Sequence, residues 1–122
     1  MLGKTVYVMA PKTIYRDEIK YCRKVDWLKD KYPAVEFILP HNLFKNNQDW
    51  LEKLPDIISK TDCGILLTNN GIIGIGCYLE LTLLRMDEKP VYLLYRRRLT
   101  ANYTIHLFPE GYWHRYAKVK AG

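Results

Sequence analysis

The segment Gly74-Ile75-Gly76-Cys77-Tyr78-Leu79-Glu80 sets two glycines ahead of a carboxylate. Glycine lets backbone N–H groups come close to an anion, and a helix starting there adds the positive end of its dipole, so the segment is a candidate phosphate site. It lacks the third glycine of a dinucleotide fingerprint and the Lys-Ser/Thr of a P-loop, and tight turns use glycine for their own geometry. Glu80 follows Gly76 by four residues, so on a helix it shares that face and tilts back toward the glycine turn. In that position it is either a reacting carboxylate or a charge that complements the dipole. A run of cations, Arg96-Arg97-Arg98, and the aromatic group Tyr112-Trp113-His114 offer phosphate pairing and base stacking, or else a solvated strand end and tail packing. The cysteines (Cys22, Cys63, Cys77) are odd in number and form no C-x-x-C pair. The histidines (His41, His106, His114) have no ligand spacing. Reduced, partly buried thiols and no metal are expected.

Charge is distributed unevenly. The chain has 122 residues and a formal net charge of +6, and residues 89–122 hold seven Lys and Arg against Glu110 alone. The first 88 residues are balanced, so a basic C-terminal segment carries the excess. With 48% hydrophobic and 26% charged residues, the chain has the composition of a folded globular domain and not of a disordered one. No apolar run approaches the ~20 residues of a membrane helix, and the N-terminal stretch is too short and strand-like for a signal peptide. A cytoplasmic, membrane-free protein with one domain over residues 1–122 is expected, with 96–122 as its basic segment.

Short apolar runs alternate with amphipathic stretches, the pattern of an α/β sheet. Thr5 to Met9 reads as strand one, ended by Ala10-Pro11. A helix follows from about Tyr15 to Tyr32, with Tyr21, Val25, Leu28 and Tyr32 along one face. Val35 to Leu39 reads as strand two. A helix carrying Trp50, Leu54, Ile57 and Ile58 is interrupted by Pro55, which predicts a kink or a new start. Cys63 to Thr68 is strand three, closed by the turn signal Asn69-Asn70-Gly71. The glycine loop feeds a helix with Leu79, Leu83 and Met86 on its apolar side, and Val91 to Tyr95 is strand four. Asn102 to Phe108 and Tyr112 to Val119 predict either a parallel fifth strand with an appendage or a terminal hairpin. The expected fold is a single α/β domain, flavodoxin-like or Rossmann-like, with a parallel sheet and helices on both faces. Ligands bind such sheets beyond the carboxyl ends of the strands. The candidate ligand contacts there are Ala10 after strand one, Asn70, Gly74, Gly76 and Cys77 after strand three, and Arg96 after strand four.

In order along the chain, Val6-Tyr7-Val8-Met9-Ala10-Pro11, Asp62-Cys63-Gly64-Ile65-Leu66-Leu67, Gly76-Cys77-Tyr78-Leu79-Glu80-Leu81 and Glu88-Lys89-Pro90-Val91 form an ordered set. The set resembles the nucleoside 2-deoxyribosyltransferase-like family, which includes deoxynucleoside 5'-monophosphate N-glycosidases. The similarity covers roughly residues 4 to 95. It implies Glu80 as the nucleophile on the anomeric carbon, Tyr7 as the phenol that holds its carboxylate, and Asp56 as the nearest match to the general acid. It also implies no cofactor, a nucleoside or nucleotide substrate, and a homo-oligomer, here a homodimer joined near the pocket by the basic, aromatic tail. Gly74 stands where the family usually carries Asp or Ser, which leaves backbone donors at that point. The implied activity is hydrolysis or transfer at an N-glycosidic bond. A non-catalytic nucleotide-binding or sequestering protein on the same fold is the alternative, and a nucleic-acid binder using Arg96 to Lys120 is a third class.

Overall fold

The computed structural model describes residues 2–40, 43–107 and 116–122. Its centre is a five-stranded, mostly parallel sheet. The β-branched run Thr5–Met9 forms β1, flanked by β2 (Glu36–Ile38) and β3 (Cys63–Leu66), and β3 pairs in turn with β5 (Val91–Leu94). A two-residue strand β6 (Leu99–Thr100) closes the edge antiparallel to β5, giving the order β2-β1-β3-β5-β6.

Side-chain alternation along the buried strands divides the core in two. Val6, Val8, Cys63, Ile65 and Leu67 face one side and pack with Ile14 of α1 (Lys12–Tyr15) and with Tyr21, Val25 and Leu28 of α2 (Glu18–Lys31). Tyr7, Met9, Leu66 and Leu93 face the other side. They pack with Leu54 and Ile58 of α3 (Asn47–Ser59) and with Cys77, Leu81 and Leu84 of α4 (Ile75–Met86). Gly64 allows this second layer to approach. A Cβ there would lie 2.6 Å from Leu84 Cδ1 and 2.8 Å from Met9 Cε, both on fully buried side chains. Gly64→Val is therefore expected to destabilise the fold by ~1–3 kcal/mol, read as a lower urea midpoint at unchanged slope.

Several expectations are corrected. The first helical stretch is two helices, because Asp17 caps α2 by accepting from the Lys20 N–H at 3.1 Å. Helix α3 continues through Pro55, neither restarting nor ending there; Pro55 and Leu51 lie on its exposed side, where a freed carbonyl meets water. In α4 the buried stripe is Cys77, Glu80, Leu81 and Leu84, whereas Leu79 is partly exposed and Met86 is 75% exposed. Lys89 donates to the Ile58 and Ser59 carbonyls at 2.5 and 2.7 Å, capping the C-terminus of α3. Asp62 accepts from the Lys4 and Thr5 N–H groups at 2.7 and 2.9 Å and straps the start of β1.

The C-terminal segment resolves as a hairpin. Strands β7 (Tyr103–Leu107) and β8 (Tyr116–Ala121) pair antiparallel, and β8 also pairs with β4 (Ile72–Gly74) to give a second sheet in the order β4-β8-β7. The expected glycine loop is thus corrected: Gly74 ends β4, and Ile75 and Gly76 already belong to the first turn of α4. Ala117 and Val119 turn inward onto the α4 core, while Lys118 and Lys120 alternate outward. The Tyr103 hydroxyl donates to the Val91 carbonyl at 3.0 Å, which ties this sheet to β5. The expected turn at 109–111 and the group Tyr112-Trp113-His114 lie outside the described residues, as does His41. No helix of the described residues is long and apolar enough to cross a membrane.

Candidate active site

Glu80 occupies the core-facing stripe of α4, one turn after Gly76, and only 5% of it is exposed. A dipole-complementing Glu has no need of burial, and desolvating a carboxylate is costly unless it is hydrogen-bonded. Its partner comes from the next layer. Tyr7 lies mid-strand in β1 on the same side of the sheet, is wholly buried, and donates its hydroxyl to Glu80 Oε2. Parallel pairing of β1 with β3, in register from Val6↔Cys63 to Met9↔Leu66, brings a residue near the N-terminus to one 73 positions later.

Two side chains that the sequence did not mark as site residues complete the cluster. The half-buried Trp50, in the first turn of α3, is within hydrogen-bonding reach of both Glu80 and Tyr7. Its ring lies over Gly76, with Cη2 3.9 Å from where a Cβ would stand. Tyr15, at the end of α1, stacks edge-to-face on Tyr21 with centroids 5.0 Å apart and lies within the field of Glu80. Both were read as helix positions only. The signal that could have found Trp50 is an amphipathic aromatic in the first turn of a helix that packs beside a glycine.

Burial dominates the electrostatics. It pushes the Glu80 carboxyl up to about 7, while the hydrogen bonds from Tyr7 and Trp50 pull in the opposite direction. Burial, with the Glu80 charge adding to it, holds both Tyr7 and Tyr15 well above the ordinary phenol range, so both keep their protons. The buried Cys77 thiol is likewise raised, first by desolvation and then by Glu80. The cluster is thus a carboxylate poised to ionise near neutral pH among groups that stay neutral. Trp50→Phe is expected to move the Glu80 midpoint upward from about 7 and to cost ~1 kcal/mol of stability, because one donor to the carboxylate is lost. Carboxyl-selective NMR titration of the Glu80 side chain checks it.

The other sequence candidates are placed as follows. Cys77 adjoins Glu80 in the core, and Gly74 is the N-cap of α4 with open space where a side chain would stand. Neither Gly74 nor Gly76 has positive φ, so the α4 backbone does not require glycine there. Ala10 is buried in the core layer that packs on α1 and α2. Asn70, at φ 53, and Gly71, at φ 79, form the turn into β4, and Lys20 of α2 binds the Asn69 and Asn70 side-chain oxygens at 2.7 and 3.3 Å. The structure does not bring Asp56 to Glu80. Its side chain is 70% exposed and pairs with Lys60 at 3.0 Å, because six residues beyond Trp50 an α-helix has turned to its far side. Arg96 is not part of the cluster either; it lies on the exposed turn after β5, beside α2. An open depression of about 680 Å³ borders Tyr15 and is lined also by Thr13, Arg16 and Asp17, but Glu80 does not reach it.

Among the described residues, no group of three His, Cys, Asp or Glu side chains is arranged to hold a metal ion. Compared with known proteins, the chain matches no family model, no curated protein and no solved structure.

Proposed function

We propose that this protein cleaves, or transfers at, the N-glycosidic bond of a nucleoside or nucleotide, with Glu80 as nucleophile and Tyr7 as the phenol that orients it, on a flavodoxin-like fold. The observation that carries this reading is the burial of a carboxylate in the apolar stripe of α4, hydrogen-bonded by a tyrosine from β1. Departure of a base leaves oxocarbenium-like charge on the sugar, and a desolvated carboxylate stabilises that charge far better than one in water. In the first step, Glu80 attacks the anomeric carbon as the bond to the base nitrogen breaks, and the departing base takes a proton from solvent water; when water is the second nucleophile, it returns a proton to solvent. In the second, water or another base displaces Glu80 from the glycosyl-enzyme. Tyr7 and Trp50 hold one carboxylate rotamer, so little reorganisation is needed.

The experiment is incubation of the chain with nucleosides, nucleotides and NAD-like dinucleotides, followed by chromatographic detection of free base. Release that depends on Glu80 supports the proposal, and no release from any of them rejects it.

A second reading, a nucleotide-binding protein without turnover, is favoured by one observation: none of Asp49, Asp56 and Asp62 stands as an acid beside Glu80. Asp49 is held below the usual carboxylate range by Lys53 and the Lys45 N–H, and Asp62 by the Thr5 and Lys4 N–H groups. That reading expects saturable nucleotide binding without base release.

A further inference from the structure

Among the described residues, two turns place both central residues at positive φ, the pattern of two-residue I′ hairpin turns, and their sequences differ sharply. One is Asn70-Gly71, with reciprocal bonds of 3.0 Å between Asn69 and Ile72, and these are the residues such a turn prefers. The other, joining β5 to β6, is Arg96-Arg97 at φ 49 and 59, closed by bonds of 2.9 and 3.2 Å between Tyr95 and Arg98. Arginine is a poor choice for the left-handed region, and strain of this kind persists where the side chains have a use.

Those side chains border a depression of about 730 Å³ between the turn and α2. Its wall also holds Arg23, Lys24 and the half-buried Trp27, together with Asp26 and Asp30. Among the described residues, no ion pair joins any of these four cations to a carboxylate. Burial and the neighbouring Lys20 charge lower the Lys24 pKa, so an anion bound beside it would favour the charged amine. The volume suits a small ligand. A bare anion would meet the two aspartates, whereas a ligand with a phosphate, hydroxyl donors and a planar ring matches cations, carboxylates and indole at once.

We infer that this depression is a second ligand site that binds a mononucleotide, with its phosphate on Arg96 and Arg97 and its base against Trp27. It lies across the sheet from Glu80, because α2 packs on the opposite face from α4.

The test uses the 122-residue chain, both native and as Glu80→Gln so that turnover cannot consume the probe, titrated with AMP while the indole N–H signals are followed by NMR. Trp27 reports this depression and Trp50 reports the Glu80 cluster, so failure of one site is distinguishable from failure of the other. The expected result is saturable movement of the Trp27 signal in both forms, with adenosine and inorganic phosphate each binding at least ~10-fold more weakly than AMP. Arg96→Asn combined with Arg97→Gly installs the residues the turn prefers. It should raise the melting temperature while weakening AMP at least ~10-fold, a split that a purely structural turn would not produce. An unmoved Trp27 signal overturns the inference, as does native-like AMP binding by the double variant or adenosine binding as tight as AMP. A ten-base oligonucleotide binding more than ~100-fold tighter than AMP would overturn it in favour of nucleic acid.

Discussion

Replacing Glu80 with Gln is expected to lower base release at least ~100-fold while leaving a folded chain that still binds nucleotide. The substitution keeps the side chain's shape and its acceptor for the Tyr7 hydroxyl, and removes the charge that the proposed reaction uses for attack on the anomeric carbon. Glu80 is only 5% exposed, so in the proposed reaction no surface side chain is placed to take over the attack. The loss should fall on kcat, with KM little changed, since the charge matters most as the sugar becomes cationic. Steady-state kinetics on whichever substrate the native chain turns over, with circular dichroism to verify folding, provides the check. Base release at the native rate from folded Glu80→Gln would reject Glu80 as nucleophile.

The same burial predicts an opposite effect on stability. The Glu80 carboxyl titrates near 4.5 when the chain is unfolded and near 7 when it is folded, with burial as the main cause. Between those values the folded state holds a proton that the unfolded state has released, so stability falls as pH rises across that window and stays low above it. The full penalty is about 3 kcal/mol at most. Glu80→Gln cannot ionise and should therefore be more stable than the native chain at pH 8 and nearly equal to it at pH 4. Asp49 and Asp62, whose pKa values are lowered by the Lys53 side chain and by the Thr5 N–H, act in the other direction at acid pH. The difference between the two chains cancels their contribution. Urea melts from pH 4 to pH 8 measure it, and a difference that does not change with pH would mean Glu80 ionises as readily folded as unfolded. Activity should move oppositely to stability, rising with pH through about 7 as the nucleophile ionises. A site that gains activity where the fold loses stability is the usual signature of a functional group kept against a structural cost.

Much of the fold was legible from local pattern. β-Branched and aromatic runs bounded by Pro, Asn and Gly marked the parallel strands β1, β2, β3 and β5, and helical spacing marked α2 and α3, because period and turn chemistry are properties of neighbouring residues. Local pattern misled where two choices were locally equal. Helix α4 has apolar residues on two sides, and the stripe with Leu79, Leu83 and Met86 is cleaner than the one that is buried. Only packing against β1 and β3 turns Glu80 inward. Pro55 left a new helix start open because the sequence does not say which side of α3 meets water. The pairing of β4 with β8 joins residues more than forty positions apart, and no spacing rule reaches that far.

The site divides along the same line. Glu80 and Tyr7 were identifiable as residue types in suggestive places, but their hydrogen bond depends on strand order, and Trp50 and Tyr15 entered through helix orientation alone. Asp56 was suggested by the family resemblance and Arg96 by its place at the carboxyl end of a strand, and the fold places neither beside Glu80. What the sequence determined by itself was the kinds of element, the apolar runs and the presence of a carboxylate after a glycine turn. Only the tertiary structure decided which carboxylate is buried and what hydrogen-bonds it. Burial is a sum over neighbours from distant parts of the chain, and a raised pKa is the energetic expression of that sum.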